Sequence, residues 1–358
     1  MKILQINNVY GDRSTGTLTR LIHEGLLARG HASVVVYGRG KGTVAPGVVR
    51  LCPDWYGKAN ALLAKVTGIP YGGCLWATRR LKKIILREQP DVVHLQCVNG
   101  NFVNIYRLVA WLKARKIKTL VSLHGEFLYT EGPGQEKMRR AFSGFGADCV
   151  VCAVSPWTAE RGKQSDILRD IPFRTVYNGV DRGIFRPGGE RMENMILHVT
   201  AHFSPERGHG KGGWYVPELA KRMPEVTFLV AGRADKVEDL PGNVKLLGQI
   251  RDPRELAALY QKAKLTLITS RRETFSMPCA ESLCCGTPVV GFRAGGPESI
   301  ALPDYTEFVP FGDLDALERA VRRELATLRD REDIAAAAEI YDAGRMVAEL
   351  EELYRSML

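Results

Sequence analysis

Short apolar runs recur along this chain, each followed by a stretch with helical spacing, and that alternation leaves few folds open. Residues 2–7 read as a buried strand, followed by a loop over 8–16 and a helix to about Arg29. Runs with strand character at 33–37, 91–95, 119–123 and 149–154 alternate with helical patterns such as 105–116. A second series begins near Met195, with strands expected at 196–199, 226–231, 244–247, 265–268, 289–291 and 308–309. Helical stretches at 214–222, 253–262 and 314–329 separate them. Strands that alternate with helices predict parallel, doubly wound sheets, because parallel neighbours need a crossover connection. A chain of 358 residues has material for two such α/β domains. The boundary is predicted at 177–187, where Asn, Gly, Asp and Pro cluster. That gives an N-terminal domain over residues 1–180, a C-terminal domain over 181–340 and a terminal helix over 341–358. The terminal helix is amphipathic, with Met346, Val347, Leu350, Leu353 and Tyr354 at helical spacing.

One unit of the second series carries unusual chemistry. After the apolar run 265–269 come a first acid, Glu273, the bend Phe275-Ser276-Met277, Pro278, and a second acid, Glu281. Gly286 and Pro288 stop the helix that Pro278 opens. A strand–loop–helix unit of this kind offers backbone N–H groups at a helix N-terminus, which suits an anion. Carboxylates on either side accept paired hydrogen bonds and suit vicinal diols. Phosphate between two diols describes a nucleotide sugar, with Glu273 on the hexose, Glu281 on the ribose and the amides of Ser276 and Met277 on phosphate. The plainer alternative is that Glu281 complements the helix dipole and Glu273 is a solvated loop acid.

The E-x7-E spacing, the following Cys285-Gly286-Thr287-Pro288-Val289-Val290 and the stretch Gly295-Gly296-Pro297-Glu298 resemble the donor-site signature of the retaining glycosyltransferases of family 4. Asn178-Gly179-Val180-Asp181 with Phe185-Arg186-Pro187 resembles the segment that opens that family's second domain. The resemblance covers nearly the whole chain. It implies the GT-B fold: two doubly wound, Rossmann-like domains facing across a cleft, with the terminal helix crossing back onto the first. It also implies a metal-independent, retaining transfer of a hexose from a nucleotide-diphosphate sugar to a sugar hydroxyl, with no cofactor.

Further residues take roles from the same resemblance. Arg207 and Lys211, in the glycine-rich loop after the strand at 196–199, would stabilise charge on the departing diphosphate. The family's arginine stands near the position of His202, so Arg207 would substitute for it. His124, at the end of the strand 119–123, would sit beside the transferred sugar. Gly232 and Arg233 would approach the phosphates or base, and Gly248, Gln249 and Ile250 the base, with a UDP-sugar favoured. The loop 11–17 has the G-x4-G of a P-loop but Thr17-Leu18 where Lys and Ser/Thr are required, which disfavours a nucleotide triphosphatase. The resemblance gives Gly16 and Thr17 backbone contacts to the donor diphosphate, whereas the residues alone also allow a simple helix entry capped by Ser14 or Thr15. Asp313-Leu314-Asp315 reads as a helix cap and a first-turn acid rather than a metal site.

Charge is uneven. Residues 1–185 hold 27 basic and 13 acidic residues, a net +14, whereas 186–358 hold 23 and 27, a net −4. Between Lys58 and Lys118 twelve basic residues face only Glu88 and Asp91. Such asymmetry predicts a polyanionic partner for the first domain. Residues 55–87 mix Trp55, Tyr56, Tyr71 and Trp76 with apolar runs and with Lys58, Lys65, Arg79, Arg80, Lys82, Lys83 and Arg87, which suits docking on an anionic membrane leaflet. Many members of the resembled family extend lipid-linked oligosaccharides for cell-surface polysaccharides, so a sugar or lipid-linked sugar is the expected acceptor. No stretch approaches ~18 apolar residues and the first residues lack a signal-peptide core, so a cytoplasmic protein, peripheral on the membrane, is expected. Eight cysteines lie singly or in apolar contexts, and Cys149-x-x-Cys152 sits in a strand-like run where residues three apart point to opposite faces. Reduced thiols are expected. A sugar-nucleotide epimerase of the same fold and a basic nucleic-acid-binding module remain as alternatives; the first lacks a second acid/base group beside His124, and the second lacks an aromatic platform.

Overall fold

The structure, a computed structural model, describes residues 1–40, 45–96, 99–234, 237 and 239–358. It forms two compact units: Met1–Gly179 together with Ala343–Leu358, and Val180–Asp342. The first unit holds seven strands, β1 (Lys2–Asn7), β2 (Ala32–Tyr37), β3 (Val48–Arg50), β4 (Val92–Leu95), β5 (Thr119–Leu123), β6 (Cys149–Ala153) and β7 (Phe173–Thr175). They lie in the order β3-β2-β1-β4-β5-β6-β7. The second holds β8 (Met195–Phe203), β9 (Thr227–Ala234), β10 (Val244–Gly248), β11 (Leu265–Ile268), β12 (Val289–Phe292) and β13 (Thr306–Val309), in the order β10-β9-β8-β11-β12-β13. Every pairing in both sheets is parallel. Both are the doubly wound sheets that the alternation predicts. The strands β4, β5 and β6 are buried at every residue, as strands covered by helices on both faces must be.

Three elements differ from expectation. The edge strands β3 and β7 are three residues long, and neither contains a buried residue, so neither has an apolar run to announce it. The first helix, Arg13–Ala28, starts before Gly16, which therefore sits inside its first turn rather than in a loop. Neither Ser14 nor Thr15 caps it; the cap position is Asp12, whose side chain makes no capping bond. A Cβ on Gly16 would lie 3.1 Å from Val9 Cγ2 and 3.3 Å from the Gly11 nitrogen, so this turn packs directly on the loop after β1.

The terminal helix Ala343–Met357 belongs to the first unit. Its Met346, Val347, Leu350, Leu353, Tyr354 and Met357 join Ile3, Leu18, Ile22, Leu26, Val92, Leu120 and Val150 in one buried cluster. Chain order and spatial order thus part company: the last residues complete the core that the first strand begins. Cys149 and Cys152 are buried on β6, and burial pushes both thiols up, that of Cys152 to about 12. Cys97 lies outside the described residues. Asp313 caps the helix Leu314–Ala326 by accepting from the Ala316 amide at 2.8 Å, and Asp315 pairs with Arg222.

Leu350 is 2% exposed in this shared core. Leu350→Ala is expected to cost about 2–5 kcal/mol, the usual penalty for a buried leucine cavity. Urea unfolding followed by tryptophan fluorescence should show the transition of the first unit moving to lower denaturant.

Candidate active site

Doubly wound sheets collect ligand sites where the strand order reverses, outside the carboxyl ends of the strands. In the second unit that point lies between β8 and β11. The loop after β8 runs over residues 204–214 and the loop after β11 over 269–276, and the two are locked together. Thr269 Oγ1 donates to the Lys211 carbonyl at 3.1 Å, and the Arg271 amide donates to the Gly210 carbonyl at 2.9 Å. Gly212 has φ +65°, and a Cβ there would lie 1.9 Å from the Thr269 carbonyl oxygen. Only glycine allows that approach. The result is that Lys211 Nζ meets Glu273 Oε1 at 2.7 Å, across 62 residues of sequence.

Glu273 is also fixed through its backbone. Its amide donates to the Ala294 carbonyl at 2.9 Å, and its carbonyl accepts from the Gly296 amide at 2.8 Å. A Cβ on Gly296 would stand 2.5 Å from the Phe275 nitrogen, which is why glycine occupies the site. The Lys211 and Glu273 side chains keep 36% and 22% of their surface exposed, so both charges remain within reach of a ligand. Phe275 is buried edge-on to Tyr341, ring centroids 6.2 Å apart, and so anchors the bend in the core. Ser276 follows at φ +80°, and the helix Met277–Cys284 opens there with Pro278 in its first turn and no capping side chain. An anion at this terminus would meet backbone amides, and the helix's first turn holds no acid.

Glu281 lies on that helix, half-buried, and its Oε2 accepts from the Tyr260 hydroxyl at 3.0 Å. Burial pushes its carboxyl up to about 7, with the Tyr260 hydrogen bond acting the other way. Arg207 is exposed and stands over the Trp214 ring, Cζ 5.1 Å from the centroid; Lys211, not Arg207, is the cation that meets Glu273. Gly232 is buried near the end of β9, where the exposed Arg233 follows it. Gly248 ends β10 at φ +74°, followed by the exposed Gln249 and half-buried Ile250.

In the first unit the strand order reverses between β1 and β4. A pocket of about 290 Å³ opens there, lined by residues following β1, β2, β4 and β5, among them Asn8, Arg13, Arg39, Asn99 and His124. Thr15 lines it, whereas Gly16 and Thr17 do not. His124 Nε2 lies 2.8 Å from Gln96 Oε1, and Gln96 Nε2 donates to Gln5 Oε1 at 3.0 Å. The second bond fixes the amide orientation, so His124 carries its proton on Nε2. Burial lowers the His124 pKa to about 4, which leaves a neutral ring at neutral pH. Gln96 in turn touches His94 Nδ1 at 3.3 Å, and His94 bonds Tyr354 and Ser122 at 2.7 Å each.

Gln96, Tyr260, Arg13 and Arg39 escape a reading by motif. Gln96 and Tyr260 support the named residues from other elements, and Arg13, at the start of the first helix, and Arg39, after β2, reach His124 only in the folded sheet.

Two family models match the chain: Glycosyltransferase Family 4 over residues 15–183 and Glycosyl transferases group 1 over residues 214–327. Among curated relatives, the chain is 28% identical to the MMP alpha-(1->4)-mannosyltransferase of Mycolicibacterium hassiacum, over 48% of this chain and 46% of that one. It is 27% identical to the phosphatidyl-myo-inositol mannosyltransferase of Mycolicibacterium smegmatis, over 72% of this chain and 69% of that one. The first of these matches thus spans less than half of the relative's length. Among solved structures, the sucrose-phosphate synthase of Thermosynechococcus elongatus superposes with a TM-score of 0.74 at 18% identity, over 100% of this chain and 99% of that one. Anabaena Alr3699/HepE in complex with UDP-glucose superposes with 0.70 at 15% identity, over 99% of this chain and 100% of that one.

Glu281 gives the site a pH signature. Its pKa of about 7 in the folded chain lies above the ordinary carboxylate value of 4.5, so the folded state holds the proton more tightly than the unfolded one. Stability from this group therefore falls as pH rises from about 4.5 to about 7 and is flat above. Glu281→Gln removes the ionisation, and the melting temperature of the variant relative to wild type should climb between pH 5 and pH 8 in a thermal-shift series.

Proposed function

We propose that this chain, which matches the family models Glycosyltransferase Family 4 over residues 15–183 and Glycosyl transferases group 1 over residues 214–327 and has the two parallel α/β units of the GT-B fold, is a family 4 enzyme that transfers a hexose from a nucleotide-diphosphate sugar to a sugar hydroxyl with retention at the anomeric carbon. The pairing of Lys211 with Glu273 beside an uncapped helix terminus carries this reading. In it, Glu281 holds the ribose diol, the amides of Ser276 and Met277 with Lys211 and Arg207 hold the diphosphate, and Glu273 holds the hexose. The anomeric C–O bond to phosphate breaks, the acceptor oxygen forms the new C–O bond on the same face, and the leaving phosphate oxygen takes the acceptor proton. Lys211 and Arg207 offset the charge that develops on the diphosphate, and the residues require no metal for that task. His124, neutral at physiological pH, serves as a hydrogen-bonding partner for sugar hydroxyls. The complex of Anabaena Alr3699/HepE with UDP-glucose supports a UDP-sugar as first donor to test.

An epimerase is not favoured. It needs two groups to exchange a proton at the ring, and among the described residues His124 is the only titratable one besides arginine that lines the first unit's pocket. A nucleic-acid module is not favoured either, since Trp111 is already covered by Lys82 and Arg115 at 5.2 and 5.7 Å.

We further propose that the first unit docks on an anionic membrane and takes its acceptor there, as a lipid-linked sugar for cell-surface polysaccharide. The helix Asp54–Thr67 has no buried residue, and Trp55, Leu62 and Val66 are 68%, 65% and 78% exposed. The exposed cations Lys58, Lys65, Arg79 and Lys83 surround that apolar face in sequence. Aromatic and aliphatic groups would enter the headgroup layer while each cation near the surface adds ~1 kcal/mol. Among the described residues no helix is long and apolar enough to cross a membrane.

Two outcomes follow. With a UDP-sugar donor, Lys211→Ala and Glu273→Gln should each lower transfer about a hundredfold or more, roughly 3 kcal/mol in barrier, in a radiolabel transfer assay; full activity in both variants would refute the site assignment. Leu62→Ser with Val66→Ser should reduce sedimentation with phosphatidylglycerol vesicles at low salt, and equal, negligible binding of the parent chain to anionic and neutral vesicles would rule out the docking.

A further inference from the structure

The pocket at the ends of β1, β4 and β5 holds two cations that the proposed donor site does not use. Arg13 lines it from the first residue of the helix after β1, at φ +58°, a backbone region that side chains rarely occupy. Strain of this kind persists where the surrounding structure demands a particular side-chain placement. Arg39 lines it from the loop after β2, with Nε and Nη2 both 3.2 Å from the Asn8 amide oxygen once that amide faces the guanidinium. Neither arginine has a carboxylate partner among the described residues, and no Asp or Glu lines the pocket. The remaining polar lining includes Asn8, Thr15, Asn99 and the neutral His124. All the charge that the described lining residues bring to this pocket is therefore positive. A volume of about 290 Å³ takes one sugar ring with one small substituent.

Two guanidinium forks match the paired oxygens of a phosphate, and hydroxyls match an amide and an imidazole. We propose that this pocket takes a phosphate-bearing acceptor, its phosphate against Arg13 and Arg39 and its sugar hydroxyls toward Asn99 and His124. This deepens the proposed transfer and rests on it for the pocket's being the acceptor's. The preference for an anion stands on the pocket alone. A sugar phosphate and the headgroup of a phospholipid share that chemistry.

Calorimetric titration of the full chain tests it, with glucose and glucose 6-phosphate as probes. Glucose 6-phosphate should bind at least tenfold more tightly than glucose. In Arg13→Gly/Arg39→Ala the difference should vanish while UDP affinity stays within twofold; glycine accepts the positive φ, so folding is preserved. Lys116→Ala/Arg174→Ala, which removes two exposed cations outside the pocket, should keep the preference. Displacement of glucose 6-phosphate by vesicles of phosphatidylcholine with phosphatidylinositol, but not by phosphatidylcholine alone, would identify a lipid headgroup as the source; no displacement by either would identify a free sugar phosphate. Equal binding of glucose and glucose 6-phosphate overturns the proposal, as does a preference that survives in Arg13→Gly/Arg39→Ala. Parallel loss of UDP affinity in that variant also overturns it, because the arginines would then serve the donor. If the parent chain bound no nucleotide sugar and transferred nothing, the transferase reading would fail while the phosphate preference could still be read, so the two failures are distinct.

Discussion

Parallel pairing is the constraint on which everything else in this molecule depends. A strand that must pair with a parallel neighbour returns through a helix, and helices on both faces leave the sheet no room for solvated chemistry. Polar and charged side chains are expelled to the loops at the strand ends. Where the strand order reverses, neighbouring loops diverge to opposite faces of the sheet and leave a hollow. That is how Lys211 reaches Glu273 over 62 residues and how His124 reaches Gln96 over 28. Neither pair could form on a local motif; the first stands at the reversal of its sheet, and in the second Gln96, at the end of β4, borders the reversal of the other.

The same constraint explains what could be read from the sequence. Buried parallel strands are continuous apolar runs, so β1, β5 and β11 were legible to the residue and β4, β6 and β12 to within one, whereas β8 runs on to Phe203, past the apolar run that ends at Val199. The edge strands β3 and β7 pair on one side only, bury nothing fully and leave no such run. The start of the first helix was misplaced because Gly16 looks like a loop residue; it is small to let the helix press on Val9 and the Gly11 backbone. Within the site, Glu273 and Glu281 stood out because one helix and its preceding loop hold both. Lys211 was legible in its glycine-broken loop, but its partner was not, since the contact depends on Gly212 meeting Thr269. Gln96, Arg13 and Arg39 were invisible: their placement depends on three separate segments converging.

Protonation in the first unit is a consequence of packing rather than of neighbouring charge. Burial lowers His124 to about 4, and burial with a smaller push from His124 lowers His94 to about 3, so both rings are neutral. Two neutral imidazoles beneath a pocket lined by arginines add no further positive charge, and each must then find a hydrogen-bond partner. The chain from His124 through Gln96 and His94 to Tyr354 supplies those partners and ends on the terminal helix. Residues at the far end of the sequence thus fix the orientation of a ring at the mouth of β5.

The two units use charge in opposite ways, and burial decides which. In the second, Lys211 is half-buried and would lose hydration at a cost if left alone, so Glu273 compensates it, and Glu281 is likewise held by Tyr260. A ligand at that site must exchange partners. In the proposed reading a diphosphate would compete with Glu273 for Lys211, and the released carboxylate would then need donors, which sugar hydroxyls could supply. A ligand with only one of the two groups would leave one charge unpaired, so the exchange selects for molecules that carry an anion and a polyol together. In the first unit Arg13 and Arg39 are exposed, remain hydrated, and need no internal acid. Their attraction for an anion costs no broken ion pair, so it is weak in water, depends on salt and gains strength only as the pocket fills. The compensated site accordingly suits selective recognition of one ligand class, and the uncompensated one suits a partner whose other contacts hold it in place.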